Sequence, residues 1–75
     1  MSDHHINLFF SDEDQCWIAD LPDFEFCSAA GPTPEEALAE LLVAKREWIE
    51  VAKEEGIPIP KPAYHPIIYQ AAIGA

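Results

Sequence analysis

Gly31-Pro32-Thr33-Pro34-Glu35-Glu36-Ala37-Leu38 is the stretch that divides this chain into two kinds of structure. It reads as a helix start. The Thr33 hydroxyl is placed to accept a hydrogen bond from a free backbone N–H of the first turn. Pro34 suits the first helical position, where its missing N–H costs nothing. Glu36, three residues after the cap, has the spacing of a capping box. Glu35 and Glu36 also favour the positive end of the helix dipole. Downstream, Leu38, Leu41, Leu42, Lys45, Trp48, Ile49 and Ala52 follow helical spacing. Gly56, with Pro58 and Pro60 behind it, supplies the stop. The spacing predicts a helix over 34–55, roughly 33 Å long at 1.5 Å per residue.

Upstream, the chain reads as strands. Residues 5–10, His5-Ile6-Asn7-Leu8-Phe9-Phe10, are rich in β-formers, with Ile6, Leu8 and Phe10 on one face and Asn7 and Phe9 on the other. Ser11-Asp12-Glu13-Asp14-Gln15 is a polar turn, and Cys16 to Leu21 form a second strand, the layout of an antiparallel hairpin. Pro22-Asp23 breaks that strand, because proline cannot donate to a ladder. A third extended run, about Glu25 to Ala30, ends at Gly31-Pro32. The expected fold is α+β: a three-stranded antiparallel meander with one long helix across one face. Residues 57–66 form a proline-rich extended tail, and 67–73 read as either a fourth strand or a short helix, the β-branched start favouring a strand. The expected organisation is one domain over 1–75, with its core in 5–56.

Composition narrows the function. The chain has 75 residues, with 14 acidic against 4 basic side chains and a formal charge of −10. That sign excludes a free-standing nucleic-acid binder and opposes docking on an anionic membrane. No apolar run approaches a spanning helix, and the N-terminus lacks a signal-peptide layout, so the expected location is cytoplasmic. Hydrophobic residues make up 49%, enough for a core and unlike a disordered acidic segment. Cys16 and Cys27, with no second pair, are expected as free buried thiols rather than zinc ligands. A chain this short buries only roughly 60% of its unfolded surface, which makes oligomerisation an expected route to further burial.

Catalysis finds little support. Asp12-Glu13-Asp14 lacks the glycine and the distal Glu of a calcium loop. Asp20, Asp23 and Glu36 are the carboxylates a magnesium-dependent nuclease would need, but nothing in their spacing brings them together. His4 and His5 are adjacent and would point to opposite faces of a strand. There is no nucleophile–base pair and no glycine-rich phosphate loop. The expectation is a non-enzyme without cofactor or metal. Trp48 is expected in the core. Trp17 and Phe9 are expected together on the sheet face that one helix cannot cover. With the exposed carboxylates Asp12, Asp14, Asp20 and Asp23, they form the expected partner-binding set.

The order of these pieces has a family likeness. Trp17-Ile18-Ala19-Asp20-Leu21-Pro22-Asp23, then Cys27-Ser28-Ala29-Ala30-Gly31, then Thr33-Pro34-Glu35-Glu36-Ala37-Leu38, then Gly56-Ile57-Pro58-Ile59-Pro60 resembles the HicB-like antitoxins of type II toxin–antitoxin systems, over about residues 5–62. The resemblance implies a partial RNase H-like fold that is not a working nuclease. It also implies that the protein binds and masks a small basic mRNA-cleaving toxin of HicA type. On that reading the negative charge complements the toxin's RNA-binding face. The alternative is a homo-oligomeric structural or regulatory module with no toxin partner. Two features depart from the family pattern. Members commonly have Leu-Pro-Gly after Pro-Asp, where this chain has Phe24-Glu25-Phe26, implying a different turn before the third strand. Many also carry a C-terminal DNA-binding domain, and none is expected within these 75 residues.

Overall fold

The cap at Thr33 forms as its chemistry dictates. In the computed structural model, which describes residues 3–64, Thr33 has extended backbone and its Oγ1 accepts from Glu36 N at 3.2 Å. Helix α1 then runs Pro34–Glu55. Gly56 ends it in the left-handed conformation (φ 70°), and Ile57 N donates back to Ala52 O at 2.8 Å. This satisfies a terminal carbonyl that would otherwise lack a partner.

Three strands precede the helix: β1 Asn7–Ser11, β2 Cys16–Asp20 and β3 Ser28–Gly31. They form one antiparallel sheet in the order β1-β2-β3. The protein is therefore α+β, a three-stranded meander with one helix. The strand expected over 67–73 lies outside the described residues.

The register decides the two faces of the sheet. Leu8, Ala19 and Ala29 stand in one cross-strand row, and Phe10, Trp17 and Gly31 in the next. These rows face the helix. Ala19, Leu21, Phe24 and Cys27 join Ala37 and Leu41 of α1 in the core. The helix lies chiefly over β2 and β3 and only marginally over β1. Gly31 permits this seat: a Cβ there would stand 2.8 Å from Ala37 N. That is backbone, which cannot swing aside.

Three details differ from the sequence reading. Trp17 does not share a face with Phe9. It pairs with Phe10, the two rings 5.7 Å apart and edge-on, and packs against the core. The reason is parity: Trp17 alternates in step with Ala19 and Leu21, the fully buried residues of that segment. The third strand begins later than Glu25, because the segment after Pro22 turns before it extends. Phe24 N donates to Leu21 O at 3.1 Å, and Phe26 has φ 55°, where no strand continues. The helix stripe is also rotated. Leu41 is fully buried while Leu42 is 44% exposed, and the inward line runs through Ala37, Leu41, Ala44, Trp48 and Ala52.

The chain after Gly56 is fastened to the start of the protein. Ala63 N and Tyr64 N both donate to Asp23 Oδ1, at 3.3 and 3.0 Å. His4 Nε2 lies 2.7 Å from Pro60 O, which places a donating proton on that nitrogen. The Phe24 ring stands edge-on to both His4 and Trp48, each with centroids 4.7 Å away. Asp3 accepts from Lys45 Nζ at 3.0 Å, and that bond, with the His4 backbone N–H, holds its carboxyl below the usual carboxylate range.

Candidate partner-binding surface

With the helix on one face, the other is left without a covering layer among the described residues. Its rows are Ser11 beside Cys16, then Phe9, Ile18 and Ala30, then Asn7, Asp20 and Ser28. Phe9 is 49% exposed and Ile18 is half-buried, so the middle row is an apolar band. One end of the sheet carries the β1–β2 turn with exposed Asp12 and Asp14. Asp14 is tied to Ser11: its carboxylate accepts from the Ser11 hydroxyl and its backbone N–H donates to the same oxygen. Asp20 marks the other end of the band. No lysine or arginine occurs before Lys45, so no cation belongs to the sheet or its connecting loops.

The six residues expected to bind a partner thus divide. Phe9 and Asp20 share the open face, and Asp12 and Asp14 stand in the turn at one end of it. Trp17 is on the opposite face, half-buried against the helix. Asp23 is engaged with the amides of residues 63 and 64, which gives it a fastening role in the fold. Ile18 stands beside Phe9 on the open face and is absent from the expected set. Its alternation with Trp17 in the strand was the available signal.

The two thiols are free and differ in setting. Cys27 is buried, and burial pushes its thiol above the ordinary value, with the Asp20 carboxylate adding to the effect. Cys16 is only half-buried, at the margin of the open face, which corrects the expectation that both would be enclosed. Among the described residues, no group of three or more His, Cys, Asp and Glu side chains is placed to hold a metal ion, and no helix is long and apolar enough to cross a membrane.

A concave feature lies beside the helix. A groove of about 500 Å³ is walled by Glu25 and Phe26 of the β2–β3 loop, by Glu47, Trp48 and Val51 of α1, and by Ile57. Trp48 Nε1 donates to Glu25 O at 3.3 Å, linking the two walls. The Phe26 side chain is fully exposed.

The fold and these surfaces define the class as a small acidic α+β domain with an open sheet face. No family model matches the chain, and neither curated proteins nor solved structures give a match.

Proposed function

We propose that this protein is a non-enzymatic, antitoxin-like binding protein that masks a small basic mRNA-cleaving toxin of HicA type. One observation carries the reading: an open apolar band, Phe9-Ile18-Ala30, with carboxylates beyond both of its ends and no cation before residue 45. Such a surface attracts a basic protein at long range and offers it apolar area on contact. A toxin whose RNA-binding face is covered this way cannot engage phosphate, which is how masking would stop cleavage. The resemblance to HicB-like antitoxins in residue order supports the same reading, and the cytoplasm is the compartment it calls for.

The test is reconstitution with a basic HicA-like ribonuclease encoded beside this chain. A stoichiometric complex should form, weaken as salt is raised, and abolish RNA cleavage. Phe9→Ser and Asp20→Asn should each weaken it, Phe9→Ser on the order of tenfold, as loss of an exposed aromatic anchor does. Unchanged cleavage at stoichiometric excess of this protein would refute the proposal.

A second reading, a homo-oligomeric module without a toxin, draws on β1. Among the described residues this strand, Asn7-Leu8-Phe9-Phe10-Ser11, is an edge with no charge and no proline, and Leu8, Phe9 and Phe10 are all exposed. Such an edge lacks the usual guards against pairing with another strand. Sedimentation equilibrium at micromolar concentration separates the readings: a stable dimer lost on Phe9→Lys supports this one, and a monomer removes it.

A further inference from the structure

The groove beside α1 is built differently from the open sheet face. Apolar side chains dominate its lining, with Trp48, Val51 and Ile57 among them, and its ionisable lining groups among the described residues are Glu25 and Glu47. The Trp48 indole N–H is already used by Glu25 O. The ring is thereby held in place, with its body turned to the groove wall.

Phe26 is the second and independent observation. Its side chain is 100% exposed, and its φ of 55° lies in the left-handed region that a bulky residue ordinarily avoids. A fully exposed ring contributes no burial to the fold, and its backbone conformation is one that glycine would adopt more easily. Among the described residues, the fold gains no packing from phenylalanine at this position. A residue strained and displayed in this way points to a role in contact.

We infer that the groove is a binding site for a segment of a basic protein that presents an arginine among apolar side chains. The apolar neighbours fill the trough over Val51 and Ile57. The guanidinium lies against the aromatic faces of Phe26 and Trp48 and between the carboxylates of Glu25 and Glu47. A weakly hydrated planar cation suits this setting, since it stacks on rings and pairs with carboxylates at once. The volume falls in the range of formed ligand pockets, roughly 300–1,000 Å³. The charge of the lining excludes an acidic segment. The site is separate from the Phe9 face and does not depend on what that face binds.

The experiment is an NMR titration of the full ¹⁵N-labelled chain with a capped helical peptide of about 15 residues carrying Arg and Leu at helical spacing. Shifts should concentrate at the Trp48 indole N–H, Phe26, Val51 and Ile57, and affinity should fall as salt rises. A matched peptide with Glu in place of Arg should not bind. Phe26→Gly should weaken binding on the order of tenfold while leaving the melting temperature unchanged or raised, a pairing that a structural role would not give. Glu47→Lys should weaken it as well. Equal binding of the acidic peptide, unaltered binding to Phe26→Gly, or shifts confined to Phe9 and Ile18 would each overturn the inference. Contacts of the Phe26 ring with residues 65–75 of the same chain, or groove shifts that depend on protein concentration alone, would assign the groove to this chain itself and overturn it too.

Discussion

Replacing Gly31 by alanine tests the seating of the helix on the sheet, on which both candidate surfaces depend. Gly31 closes β3 opposite Trp17, and its backbone lies outside the left-handed region, so alanine meets no dihedral penalty there. The obstacle is space. The added Cβ would stand 2.8 Å from Ala37 N and 3.1 Å from both the Glu36 carbonyl carbon and Cβ. The first two atoms are backbone of the capped first turn, so the helix itself must move. Overpacking of this kind costs about 1–3 kcal/mol. The reduced entropy of the unfolded chain returns about 0.4–1 kcal/mol. The net expectation is a loss of about 1–2 kcal/mol, from a total that is roughly 4–11 kcal/mol for a chain of this length. In a domain of this size that lowers the melting temperature by about 5–15 °C. Urea denaturation should show a lower midpoint with an unchanged slope. Ala30→Ser, one residue earlier on the open face, should change stability by less than about 0.5 kcal/mol. A Gly31→Ala protein as stable as its parent would mean that the helix does not rest on β3 at this point, and the assignment of covered and open faces would go with it.

Two further predictions concern the core and its thiol. Leu41→Ala removes a fully buried side chain and should cost about 2–5 kcal/mol, whereas Leu42→Ala, at a position 44% exposed, should cost less than about 1 kcal/mol by the same denaturant measurement. Cys27 should resist alkylation at pH 8 until the protein unfolds, while Cys16 reacts first. The linkage has a definite sign, because the folded thiol keeps its proton to higher pH than the unfolded one. Stability should be unaffected by this group below the unfolded value of about 8.5. Between that value and the raised folded one, stability should fall by up to about 1.4 kcal/mol per pH unit, and a Cys27→Ala protein should lack that alkaline slope.

The helix was legible because its ends are local chemistry. A hydroxyl three residues before an amide, a proline that needs no N–H and a glycine free to turn left-handed act within one turn, so Thr33, Pro34 and Gly56 declare themselves without knowledge of the rest of the fold. The meander was legible for a similar reason, through the polar turn 11–15 and the break at Pro22. What escaped was the part settled between elements. Trp17 and Phe9 look equivalent as large apolar residues in paired strands. Only the register, Phe9 to Ile18 and Phe10 to Trp17, sends one toward solvent and the other under the helix. Leu42 has the spacing of a core residue, and it is the offset of α1 toward β3 that leaves it outside.

The segment Phe24-Glu25-Phe26 shows why local reading has this limit. Alternation would put Phe24 and Phe26 on the same face of a strand, yet Phe24 is buried against Trp48 and His4 while Phe26 stands wholly in solvent. Tertiary packing decides the split. Phe24 fills the space between the N-terminal segment and the second half of α1, and drawing it inward requires the chain to turn. The turn reaches the left-handed region at residue 26. A strand there would have placed Glu25 on the opposite face and closed off no groove. The same inward pull that completes the core at Phe24 therefore creates the exposed aromatic and the trough beside it. Phe26→Gly separates the two roles, since it keeps the turn and removes only the ring. Its effect is therefore read in binding and not in stability, and the cost of a strained phenylalanine is explained by what the ring touches.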